Sequence, residues 1–164
     1  MEKSFINKLY EAHKACPSCP SPAAVSGFYA ELLSTLFPDY AVLSFRSPRE
    51  FELHIEKMKL QLDQLLHRNQ GIGDKADAIA ERFFELIPEI HRKLEQDVDA
   101  LFEGDPAAKS KGEVIRTYPG FYAVAAYRVA HELLKLGVTD IPRIITEHAH
   151  SKTGIDIHPL ASIG

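Results

Sequence analysis

TGIDIHPLASIG, residues 153–164, does not read as helix, whereas almost everything before it does. Ile157 and Ile163 fall six residues apart, and Gly164 follows the second. A beat of that length suits one coil of a β-helix. It fits neither a helix of period 3.6 nor an ordinary strand of period 2. A helical chain that closes on a single beat of a β repeat is therefore the pattern to explain.

The chain has 164 residues, enough for one domain, or one domain and a piece of another. Its 45 % apolar content supports a packed core, since a chain of this size buries roughly 70 % of its extended surface on folding. The net charge of −4 and pI near 6.1 give no basic stripe of the kind nucleic acid requires. The start, MEKSFINKLYEAHK, is too polar for a signal peptide, and no apolar run approaches a membrane span. No nucleic acid, no membrane and a cytoplasmic location are expected.

Helix signals punctuate the body. Residues 4–14 form a short helix. Ser21 and Pro22 are an N-cap and first helical residue, with Val25, Phe28, Leu32 and Leu36 recurring on one face until Pro38. Ser47, Pro48 and Glu50 supply a second start with a capping box. Phe51, Ile55, Met58, Leu62 and Leu65 then make a heptad-like stripe, broken by Gly71 and Gly73. Asp74 can cap the next helix, whose stripe runs Ile79, Phe83, Leu86, Ile90, Leu94, Val98, Leu101 through Pro88. That register allows one kinked helix or two collinear ones. Pro119 opens another, with Phe121, Ala125, Val129, Leu133 and Leu136 inside and Gly137 at C′. A last short helix runs from about Pro142 to His150, and Gly154 ends it. The expected class is an all-α bundle of six or seven helices, followed by the odd tail.

Candidate chemistry is sparse. His13, Cys16 and Cys19 could supply three ligands of a zinc site, but no fourth stands near, and the C-P-S-C pair lies in a turn rather than a strand-to-helix step. No metal is expected. His148 and His150, two apart on a helix, point to different faces and suit a helix C-terminus. Asp97, Asp99, Glu103 and Asp105 cluster where negative charge opposes the helix dipole, a violation typical of functional sites. Asp105 can also be a plain N-cap for a short helix on Pro106-Ala107-Ala108. In the tail, Asp156 and His158 share one face of an extended segment. A coil there would bury its isoleucines and turn both outward, where an aspartate can orient an imidazole.

The runs DVDALFEGDPAAKS (97–110), YPGFYAVAAYRVAHELLKLG (118–137) and TGIDIHPLASIG (153–164) together resemble bacterial serine O-acetyltransferases. The resemblance holds from Asp97 to Gly164; residues 1–70 carry no matching signature. It implies an α-helical N-terminal domain over 1–152 and, over 153–164, the start of a left-handed parallel β-helix of hexapeptide repeats. It implies acetyl transfer from acetyl-CoA to the hydroxyl of L-serine, on the route to cysteine. Asp156, of the D-I-H-P element, corresponds to the aspartate that orients the catalytic histidine. Asp105, of D-P-A, corresponds to an aspartate that binds serine. The family's catalytic histidine and coenzyme segment follow beyond Gly164, and His158 is not that histidine. The 164 residues are accordingly expected to be a piece of the enzyme, inactive alone and holding no cofactor.

The family also forms homo-oligomers, trimers or hexamers, and docks O-acetylserine sulfhydrylase through a C-terminal tail. A helical assembly module without catalysis is the competing reading, to which the stripes at 51–65 and 79–101 lend themselves.

Overall fold

The computed structural model describes residues 1–16 and 20–164, so the Cys19 half of the C-P-S-C pair lies outside the described residues. Seven α-helices are found among them: α1 (Lys3–Ala15), α2 (Pro22–Leu36), α3 (Pro48–His67), α4 (Ala76–Gly104), α5 (Lys111–Thr117), α6 (Pro119–Lys135) and α7 (Asp140–Thr153). No strand occurs among the described residues. The all-α class is as expected. Among the described residues no helix is long and apolar enough to cross a membrane.

Local chemistry sets most boundaries. Ser21 Oγ accepts the Ala24 amide at 3.5 Å above the first-turn proline of α2. Ser47 Oγ accepts the Glu50 amide at 3.2 Å, and the Glu50 carboxylate returns to the Arg46 amide at 2.7 Å. Asp74 does not cap α4. It lies in a 3-10 turn, Gly73–Lys75, that runs directly into the helix, so the first α4 amides need no side-chain acceptor in the way a free helix end does. α4 continues unbroken through Pro88 for 29 residues, so the single-helix alternative is the one adopted. α6 ends in a Schellman motif: Val138 donates to Leu133 O at 3.2 Å and Gly137, at φ 88°, to Leu134 O at 2.9 Å.

α6 is the centre of the bundle. It packs against α4 on one side and α7 on another. Phe121, Ala125, Ala126, Val129, Ala130 and Leu133 are all buried, and the alanines let neighbouring helices come close. α2 and α3 close the other side, with Phe28, Leu32, Met58 and Leu62 in the same core as Phe83, Ile90 and Leu94 of α4. The α3 stripe is displaced at its start: Phe51 is exposed and His54 is buried in its place. α1 buries nothing.

Candidate functional site

The acidic end of α4 is neutralised from other elements. Arg128, on α6, grips Asp97 with both prongs of its guanidinium, Nε to Oδ2 at 2.9 Å and Nη2 to Oδ1 at 2.8 Å. Lys111, on α5, reaches Asp99 at 2.5 Å. Carboxylates that oppose the α4 dipole thus face cations that tertiary packing brings to them. Neither pairing was legible from spacing, because each partner lies on another helix.

Asp105 closes α4 and is half-buried. Its Oδ1 accepts the Ala107 amide at 2.9 Å, and its Oδ2 accepts the Tyr118 hydroxyl at 2.5 Å. The short helix expected on Pro106 is absent. Asp105 holds a turn instead, with Ala108 donating to its carbonyl at 3.0 Å. The next helix begins at Lys111, because Ser110 and Glu113 form their own capping box: Ser110 Oγ accepts the Glu113 amide at 3.1 Å and Glu113 takes the Lys109 amide at 2.7 Å. The Tyr118 hydroxyl, helped by the Ala107 amide, holds the Asp105 carboxyl below its usual range. The same bond pushes Tyr118 up to about 12. Asp105 is therefore a fixed, ionised carboxylate at neutral pH, each oxygen with a lone pair still available.

Asp156 follows Gly154, which ends α7 at φ 72° and donates to His150 O at 2.8 Å. Beyond it the backbone forms no regular element; Leu160 donates to His158 Nδ1 and Ala161 to His158 O, making a turn at Pro159. Asp156 and His158 are exposed, as expected. The isoleucines are not buried: Ile157 is half-buried and Ile163 is 40 % exposed. The burial expected of isoleucines in a β-helix coil is thus not seen within these residues.

Arg143 Nη1 donates to Asp156 Oδ1 at 3.2 Å, and the same guanidinium pairs with Glu147. His150 Nδ1 lies 3.6 Å from Glu147. One donor atom from each of Glu147, His150 and Asp156 falls within 4.8 Å of the others. Arg143 already supplies positive charge to both carboxylates of that group. His148 turns to another face, against the Tyr122 ring. Asp105 and Asp156 are held by different partners, Tyr118 and Arg143, neither of which the spacing of the motifs points to.

No family model matches the chain. It is 45 % identical over 93 residues to a plasmid-borne serine acetyltransferase of Synechococcus elongatus, covering 57 % of this chain and 29 % of the relative. It is 47 % identical over 73 residues to the serine acetyltransferase of Bacillus subtilis, covering 44 % and 34 %. Among solved structures, serine acetyltransferase 1 of Entamoeba histolytica in complex with L-cysteine superposes with a TM-score of 0.71 at 31 % identity, over 80 % of this chain and 48 % of that one. The resemblance carried by the motifs is borne out. The chain spans about a third of the length of these curated relatives.

Proposed function

We propose that the protein to which this chain belongs is a serine O-acetyltransferase, with residues 1–152 as its helical N-terminal domain and residues 153–164 opening its β-helix. The observation that carries the reading is the agreement between sequence relatives and structural neighbours, all serine acetyltransferases.

In the proposed reaction the serine hydroxyl oxygen attacks the thioester carbonyl of acetyl-CoA as its proton passes to a histidine base. The tetrahedral intermediate then expels the coenzyme thiolate, which takes that proton and leaves as the thiol beside O-acetylserine. Asp156 would orient the base: Arg143 occupies its Oδ1, leaving Oδ2 for an imidazole N–H. Asp105, ionised and held by Tyr118 and Ala107, suits the serine ammonium group. The base itself follows D-I-H-P in the family and is not among these 164 residues, so the chain alone is proposed to be inactive. A cytoplasmic trimer or hexamer, and docking of O-acetylserine sulfhydrylase by a further C-terminal tail, belong to the same proposal.

A helical assembly module is the second reading. It is favoured by α1, which leaves Phe5, Ile6, Leu9 and Tyr10 exposed, and by Leu53 and Leu60, more than half exposed on α3. A monomer by light scattering at tens of micromolar would count against it.

The gene sequence past the codon for Gly164 tests the main reading. Further isoleucine–glycine beats with an Asp-His pair are expected; a stop codon there would overturn it.

A further inference from the structure

The last six residues have no ladder to pair their backbone, and most of them are exposed. Several of their polar groups nonetheless find protein partners. They find them on one face of α6. His131 Nδ1 meets Pro159 O at 2.8 Å, Tyr127 Oη donates to Ala161 O at 2.7 Å, and Arg128 Nη1 donates to Ile163 O at 3.3 Å. Arg128 Nη2 reaches Gly164 O at 3.1 Å, and the Tyr127 hydroxyl also accepts the Ile163 amide at 3.3 Å.

The carbonyls taken are those of residues 159, 161, 163 and 164, so the contact begins at the turn of Pro159 and runs to Gly164. It fixes the position of the segment against α6.

Arg128 is the rigid part of this contact. It is only 9 % exposed, and Asp97 of α4 fixes its guanidinium plane through two bonds. The remaining prongs of the fork go to the tail. One side chain thus ties α4, α6 and the tail together, in a geometry that the single ammonium of lysine cannot reproduce.

We propose that Tyr127, Arg128 and His131 form a docking edge that holds residues 159–164 in place against α6, with Arg128, held by Asp97, as its positioning residue. Docking itself is independent of the acetyltransferase reading. Its consequence for catalysis rests on that reading: the docked position fixes where Asp156 stands relative to a coil that continues the repeat.

The test is amide hydrogen exchange by NMR on the 164-residue chain. The Ile163 amide is expected to be protected in the wild type. Tyr127→Phe, which removes one oxygen, speeds its exchange about tenfold, while the amides of Phe83 and Leu94 in the core stay unchanged. Arg128→Lys, with charge kept and the fork lost, releases the tail in the same way. A nitrogen-15 spectrum supplies a second signature. A carbonyl partner fixes His131 as the Nδ1–H tautomer, and both variants shift it toward the mixture of a free imidazole. If Arg128→Lys unfolds the chain, Tyr127→Phe still decides. An Ile163 amide that exchanges at the rate of unprotected backbone in the wild type, or that ignores Tyr127→Phe, overturns the proposal while leaving the acetyltransferase reading intact.

Discussion

Tyr118 donates its hydroxyl to Asp105 Oδ2 across 2.5 Å, joining the start of α6 to the end of α4. The bond depresses the carboxyl and raises the phenol to about 12. The two effects are reciprocal, so each group reports on the other. Asp105→Asn is expected to return Tyr118 toward its ordinary 10, read by tyrosinate absorbance. Tyr118→Phe is expected to return the Asp105 carboxyl toward its ordinary 3.8, read by NMR titration. A carboxyl lowered in the folded state adds stability above the unfolded value and loses it as pH falls through the folded one. Tyr118→Phe should therefore lower stability above the unfolded value and leave it unchanged below the folded one, which flattens the acid limb of the stability profile. An unchanged Tyr118 titration in Asp105→Asn would contradict the bond.

His148 gives the opposite test. Burial, and then the nearby Lys152 charge, lower its pKa below 6.5. Its Nε2 is enclosed and has no hydrogen-bond partner. The folded state thus disfavours the imidazolium. Stability is complete above the unfolded pKa and declines as pH falls through 6.5 toward the lower folded value. His148→Gln should flatten the thermal midpoint against pH between 7 and 5. A wild-type midpoint that rises on acidification through that window would count against this account.

Asn69 links the end of α3 to the start of α7. It is 2 % exposed; its Oδ1 accepts the Asp140 amide at 3.3 Å, and its Nδ2 donates to Gln70 O at 3.2 Å. Asn69→Ala strands the Asp140 amide, at a cost of about 1–3 kcal/mol in a urea titration. A loss indistinguishable from zero would mean that water replaces the side chain.

Two glycines should respond in opposite directions. Gly137 closes α6 at φ 88°, so Gly137→Ala costs about 1–2 kcal/mol. Gly27 lies inside α2, and a Cβ there meets nothing within 4 Å. Gly27→Ala should stabilise by about 0.5–1 kcal/mol. Equal effects of the two changes would refute the backbone argument.

Much of this fold was legible because its signals are local. Ser47-Pro48-Glu50 sets where α3 begins, Gly137 sets where α6 ends, and the stripe from Phe83 to Val98 passes through Pro88 into the core. Asp105 misled because a single aspartate-proline step starts turns and helices alike; the capping box at Ser110 and Glu113 decided between them. Asp74 misled because a 3-10 turn can feed a helix without a cap. His54 took the buried place expected for Phe51. Its ring lies 3.0 Å from the hydroxyl of Thr35, on α2, a pairing made between helices. The contacts of the candidate site are of the same non-local kind. Arg128 to Asp97, Tyr118 to Asp105 and Arg143 to Asp156 span 13 to 31 residues and arise from helix packing, which no spacing rule reports.

The most direct test of the central claim is thiol release from acetyl-CoA by the full product of the gene, with L-serine as acceptor. The account predicts turnover that requires both substrates. Asp156→Asn should lower kcat by about two or more orders of magnitude, and Asp105→Asn should act mainly through the KM for serine. Thiol release that is absent, or that is indifferent to both substitutions, would contradict it.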